Sequence, residues 1–153
     1  MRISSKWLLA VFSLHLLAAA CSDPLSGQQK DLVTNRELWE AEAISDYSYR
    51  LQVLCFCPPE ITDPVIVEVS QDSIIAVVDA ASGEPVDSAR FRNYYTVAGL
   101  FDVIENAIDR EAHELVVTYD AVLHYPTRII IDPIEQAVDE ELSLLASDLL
   151  PGG

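Results

Sequence analysis

Polar and apolar positions change their period several times along this chain, and each change marks an element. Thr34-Asn35-Arg36-Glu37 fits a capping box, with Val33 and Leu38 placed for a hydrophobic staple, so a short helix is expected from Thr34 to about Ile44. From Tyr47 the period becomes two. Tyr47, Tyr49, Leu51, Val53, Cys55 and Cys57 share one face against Ser48, Arg50 and Gln52, the pattern of a half-buried antiparallel strand that Pro58-Pro59 ends. Val65, Val67 and Val69 repeat the alternation, and a turn at Gln71-Asp72 leads into a third strand, Ile74 to Asp79. Val97, Phe101, Ile104 and Ile108 then recur at helical spacing, which predicts a second helix from near Thr96 to near Arg110. Leu115, Val117 and Tyr119 alternate again, and beyond His124-Tyr125-Pro126 an apolar strand runs from Arg128 to Asp132. The segment from Asp139 to Leu150 fits either period. Read as a strand, it completes an α-βββ-α-βββ order: an α+β fold with an antiparallel sheet of about five or six strands and both helices on one face.

The first twenty residues follow a different logic. Arg2 and Lys6 precede an apolar run from Trp7 to Leu17, and Ala18-Ala19-Ala20 precede Cys21. The run is well short of the ~20 apolar residues of a membrane span and matches a cleaved secretory signal. Leu17-Ala18-Ala19-Ala20-Cys21 resembles the bacterial lipobox, whose cysteine is acylated and becomes the mature N-terminus. Ser22 in the next position is permissive for the outer membrane, because the retention signal is an aspartate at that place. The expected organisation is a signal peptide over 1–20, a lipidated tether over 21–33 made polar by Pro24 and Gly27, and a single α+β domain over 34–150.

Several of these residues together resemble a family. Trp39, Tyr47-Ser48-Tyr49, Cys55-Phe56-Cys57-Pro58, Leu100-Phe101-Asp102-Val103-Ile104, Val117-Thr118-Tyr119-Asp120, Tyr125-Pro126 and Ile131-Asp132 are similar to an uncharacterised bacterial lipoprotein family with a domain of unknown function, over roughly residues 36 to 148. Members of that family usually carry glycine where this chain has His124. The resemblance implies a strand for the last segment, an envelope location and no activity.

Charge narrows the classes of partner. The chain has 25 Asp and Glu against 9 Lys and Arg, and loss of Arg2 and Lys6 with the signal takes the net charge from −16 to −18. Such an acidic body repels phosphate backbones, which excludes nucleic acid as a main partner. An anionic bilayer repels it equally, so attachment to a membrane falls to the acyl chains on Cys21.

Candidate chemistry is sparse. With Cys21 assigned to lipid, Cys55 and Cys57 remain as a pair in an oxidising compartment. Residues two apart in an ideal strand lie about 6.6–6.8 Å apart between Cα atoms, the upper limit for a disulfide, so a bridge requires a kink. Two buried thiols and a soft-metal site are the other readings of the pair. The metal reading is poorly supplied, since His113 and His124 are the imidazoles left once the signal takes His15 and Met1. No metal site and no cofactor are assigned. No nucleophile–base motif or phosphate-binding glycine loop occurs, and Asp120 with Asp132, flanking the Tyr125-Pro126 hairpin, are the nearest approach to paired carboxylates. Tyr94 and Tyr95, in a polar loop, are candidates for an exposed aromatic binding spot. The leading expectation is an envelope lipoprotein that binds or assembles with another envelope protein or peptide. A redox or metal-handling role for Cys55 and Cys57 is the alternative, and an enzyme is the least supported class.

Overall fold

In the computed structural model, residues 24–136 and 139–152 are described. The expectations for the signal over 1–20 and for acylation of Cys21 lie outside them. The element order is α1 (Pro24–Ala41), β1 (Asp46–Leu54), a single turn α2 (Pro59–Thr62), β2 (Val65–Ser70), β3 (Ser73–Asp79), a 3₁₀ turn (Ser88–Asn93), α3 (Val97–Asp109), β4 (Glu114–Tyr119), β5 (Pro126–Asp132) and β6 (Leu142–Pro151). The α-βββ-α-βββ order is as expected, and the last segment is a strand.

All six strands form one antiparallel sheet in the order β3-β2-β1-β6-β5-β4. Each half of the chain makes a three-stranded meander, and β1 against β6 joins the two. Alternation decides which side chains meet the helices: Tyr47, Tyr49, Leu51 and Val53 of β1 are buried, as are Val65, Val67 and Val69 of β2. On β6 the inward set Leu144 and Ala146 shifts to Leu149 past a bulge, where Asp148 has φ 55° and the pairing with β1 slips between Ser48 and Arg50.

Helix α3 supplies most of the cover, burying Val97, Leu100, Phe101, Ile104, Ala107 and Ile108. Its N-terminal N–H groups are satisfied from two directions. Thr96 Oγ1 accepts from Gly99 N at 3.0 Å, and Tyr47 Oη accepts from Val97 N at 2.8 Å. Tyr49 Oη donates to the Tyr95 carbonyl at 2.5 Å, so both inward tyrosines of β1 tie the sheet to the approach to α3.

Helix α1 corrects two expectations. It begins at Pro24, so residues 24–33, read as part of a tether over 21–33, are helical and belong with the domain expected to start at 34. Thr34 lies inside the helix rather than capping it, and Val33 and Leu38 are exposed rather than stapled. Leu32, 1% exposed, and Trp39, 7% exposed, form the buried stripe. The Trp39 ring meets Tyr47 edge-on at 5.5 Å between centroids and Tyr125 at 6.3 Å. Arg36 fastens α1 to α3: it reaches Glu105 at 3.0 Å and Asp102 at 3.3 Å, with its guanidinium 5.6 Å from the Phe101 ring centroid.

Candidate functional site

The sheet face turned away from the helices is open among the described residues, and the strand register sets its rows. Val116, Ile130, Ser143 and Leu54 lie side by side across β4, β5, β6 and β1. Thr118, Arg128, Leu145 and Gln52 form the next row. Ser147, Arg50, Ile66 and Val78 follow, then Leu150, Ser48, Glu68 and Ala76. Val116, Leu54 and Leu150 are exposed, Ile130, Leu145, Ile66 and Val78 are half-buried, and Gln52 Nε2 donates to the Thr62 carbonyl at the end of α2 at 3.1 Å. In a chain with 25 acids these four rows hold a single one, Glu68; Asp148 reaches Arg50 Nε at 3.5 Å from the bulge, and Glu114, Asp132 and Asp46 mark the two ends of the face. Acid is concentrated elsewhere, including a cleft of about 290 Å³ lined by Glu60, Asp63, Asp79, Glu84 and Asp87 with Arg90 and Tyr94.

Cys55 and Cys57 stand at one end of the sheet, immediately past the end of its central strand β1. They are joined by a disulfide with Cα atoms 5.1 Å apart. The kink that the bridge requires is a three-residue turn: Cys57 N donates to the Cys55 carbonyl at 2.7 Å. Phe56, at the tip of that turn, is 81% exposed. Cys55 packs against the core, whereas Cys57 lies outside that packing.

Tyr94 and Tyr95 are not the exposed pair that their loop position implied. Tyr94 is 5% exposed and packs into the core, with a buried hydroxyl that has no partner among the described residues. Burial pushes its phenol up, an effect opposed by Arg90. Tyr95 is half-buried against the same core. They follow directly on the 3₁₀ turn, which Tyr94 N closes by donating to the Phe91 carbonyl and which has no periodic signal in the sequence.

Asp120 and Asp132 do not form a carboxylate pair. Asp132 stands beside Glu114 at one end of the β4–β5 ladder, while Asp120 follows Tyr119 at the other. Asp120 Oδ1 accepts from Leu123 N at 2.7 Å and Val122 N at 2.9 Å, and these bonds hold its carboxyl below the usual carboxylate range. It shapes the turn in which His124 takes φ 63°. That backbone region favours glycine.

A second cleft, about 470 Å³, lies between α3 and the β5–β6 side of the sheet, lined by Val103, Ala107, Ile131 and Leu142 together with Asn106, Arg110 and Glu140. No nucleophile with a base stands in it. Among the described residues no cluster of three or more His, Cys, Asp or Glu is placed to hold a metal, and no helix is long and apolar enough to cross a membrane.

Fold and site together define a two-layer α+β domain with one uncovered sheet face and a disulfide at the end of its central strand. The chain belongs to a family of unknown function, DUF6174, whose model matches residues 31–151. No curated protein and no solved structure matches it.

Proposed function

We propose that this protein is a bacterial envelope lipoprotein, held through acyl chains on Cys21 at the outer membrane and facing the periplasm, whose open sheet face docks another envelope protein or peptide. One observation carries the docking role: the four inner rows of that face hold eight apolar side chains and one acid, Glu68, in a chain with 25 acids. A monomer gains solubility from charge on every surface it does not use, and an exposed apolar patch rimmed by polar groups is the mark of a contact surface. The lipobox-like sequence before Cys21 supports the anchor.

Two experiments test the two halves of the reading. Cys21→Ala should release the protein from membranes, and its retention there would overturn the anchor. The double variant Val116→Glu and Leu54→Glu, at exposed positions of one row, should fold as the parent does and lose whatever envelope protein the parent crosslinks through that face. Unchanged crosslinking would overturn the docking role.

A further inference from the structure

The disulfide past the end of β1 does little for the fold. Both cysteines lie beyond β1, and the ladders end before them, at Leu54 opposite Ser143 on one side and Leu51 opposite Val65 on the other. Opening the sulfur bond therefore frees no strand pair. The bridge spans a sequence separation of 2, so it removes little entropy from the unfolded chain, well under the ~3 kcal/mol of a 15-residue loop. The half-turn around Phe56 is already closed by the backbone bond from Cys57 to Cys55. A bridge that staples so little, half-buried in a turn whose tip is exposed, has the setting of a labile disulfide rather than a structural one.

The two sulfurs differ in their surroundings. Both cysteines are half-buried, but Cys55 packs against the core and Cys57 does not. Between them Phe56 projects a ring that is 81% exposed, next to the exposed Leu54. An apolar ring held beside a disulfide is a contact point for an extended protein segment, which small thiols do not need.

We propose that Cys55–Cys57 is a thiol–disulfide exchange site, attacked at Cys57, that takes two electrons from a protein dithiol docked against Phe56. A thiolate of the partner attacks Cys57 Sγ, the bond to Cys55 breaks, and Cys55 leaves as a thiolate against the core. The second thiolate of the partner then attacks its own sulfur in the mixed disulfide and expels Cys57. The partner gains a disulfide, and its two thiol protons end on Cys55 and Cys57. This activity goes beyond the docking role of the sheet face and does not require it.

The test uses the full chain carrying Cys21→Ser, equilibrated with glutathione redox buffers both folded and in urea, with the bridge read by alkylation and mass. The folded and unfolded chains should favour the bridge to within tenfold of each other, because linkage equates that ratio with the stability the bridge contributes. A folded chain favouring it by tenfold or more would make it a staple and overturn the proposal. Under folding conditions and with oxidised glutathione, Cys55→Ser, which retains Cys57, should form the mixed disulfide at least tenfold faster than Cys57→Ser. Equal or reversed rates would overturn attack at Cys57. Finally, the oxidised chain should convert a reduced two-cysteine peptide with flanking apolar residues to its disulfide, mole for mole. Phe56→Ser should slow that transfer at least fivefold while leaving reduction by glutathione unchanged, and failure to oxidise the peptide would sink the exchange role.

Discussion

The phenol oxygen of Tyr47 accepts the backbone N–H of Val97 across 50 residues of sequence, at 2.8 Å. A strand side chain thus completes the cap of a helix whose own N-cap, Thr96, serves Gly99. Tyr47→Phe keeps the ring against Trp39 but leaves a buried N–H unpaired, which should cost about 1–3 kcal/mol. Urea unfolding of the variant checks it, and an unchanged midpoint would show that the bond contributes nothing.

The buried phenols set an alkaline limit. Burial raises Tyr47 and Tyr119 from the ordinary value of 10.0 to about 12, and Tyr49 well above it. A raised pKa means that the folded state holds the proton more tightly than the unfolded chain does. The stability so gained is complete below pH 10 and is lost as pH rises toward 12. Circular dichroism and tyrosinate absorbance should therefore change together in one cooperative step in that window. Tyrosinate forming near pH 10 with the fold intact would contradict the burial.

Leu32 distinguishes a packed helix from a tether. Its side chain is 1% exposed, so Leu32→Ala should cost about 2–4 kcal/mol in thermal or urea unfolding. A tether residue would lose nothing.

His124 holds φ 63° in the turn shaped by Asp120. A β-carbon in that region costs about 1–2 kcal/mol, and glycine returns part of it in unfolded-chain entropy. His124→Gly should accordingly raise stability by about 0.5–1 kcal/mol, whereas Asp120→Ala should lower it by about 1 kcal/mol through loss of its two backbone bonds. A destabilised His124→Gly variant would mean that the imidazole makes a contact worth more than the strain.

Strands and α3 were legible because each carries an unbroken period: β1 buries every second residue from Tyr47 to Val53, and α3 buries a stripe wide enough to include Leu100 and Ala107. The start of α1 was not. Leu32 and Trp39 are seven residues apart, two turns of a helix whose other turns are polar, so no moment accumulates in its first half. What orders that half lies far away: Gln28 donates from its side chain to the Leu115 carbonyl at 2.6 Å, a partner no local window contains. The Cys55–Cys57 bridge was legible up to its kink, which Pro58-Pro59 mark. The fate of Tyr94 was not, since polar neighbours in sequence hide its packing into a core formed by residues distant along the chain. The open sheet face is a matter of register, and register comes from pairing rather than from any one strand.

The pairing of β1 with β6 has a consequence for how the chain comes off the ribosome. Among the described elements β1 is the first strand and β6 the last, yet they are neighbours in the middle of the sheet, sealed by Gly152 N donating to the Asp46 carbonyl at 2.6 Å. Until residues 142–151 emerge, the first meander has an unpaired apolar edge and the second lacks its inner strand. Folding of the whole sheet thus waits for β6, paced by a long loop closure, and until then the chain must be kept from pairing that edge with a neighbouring chain.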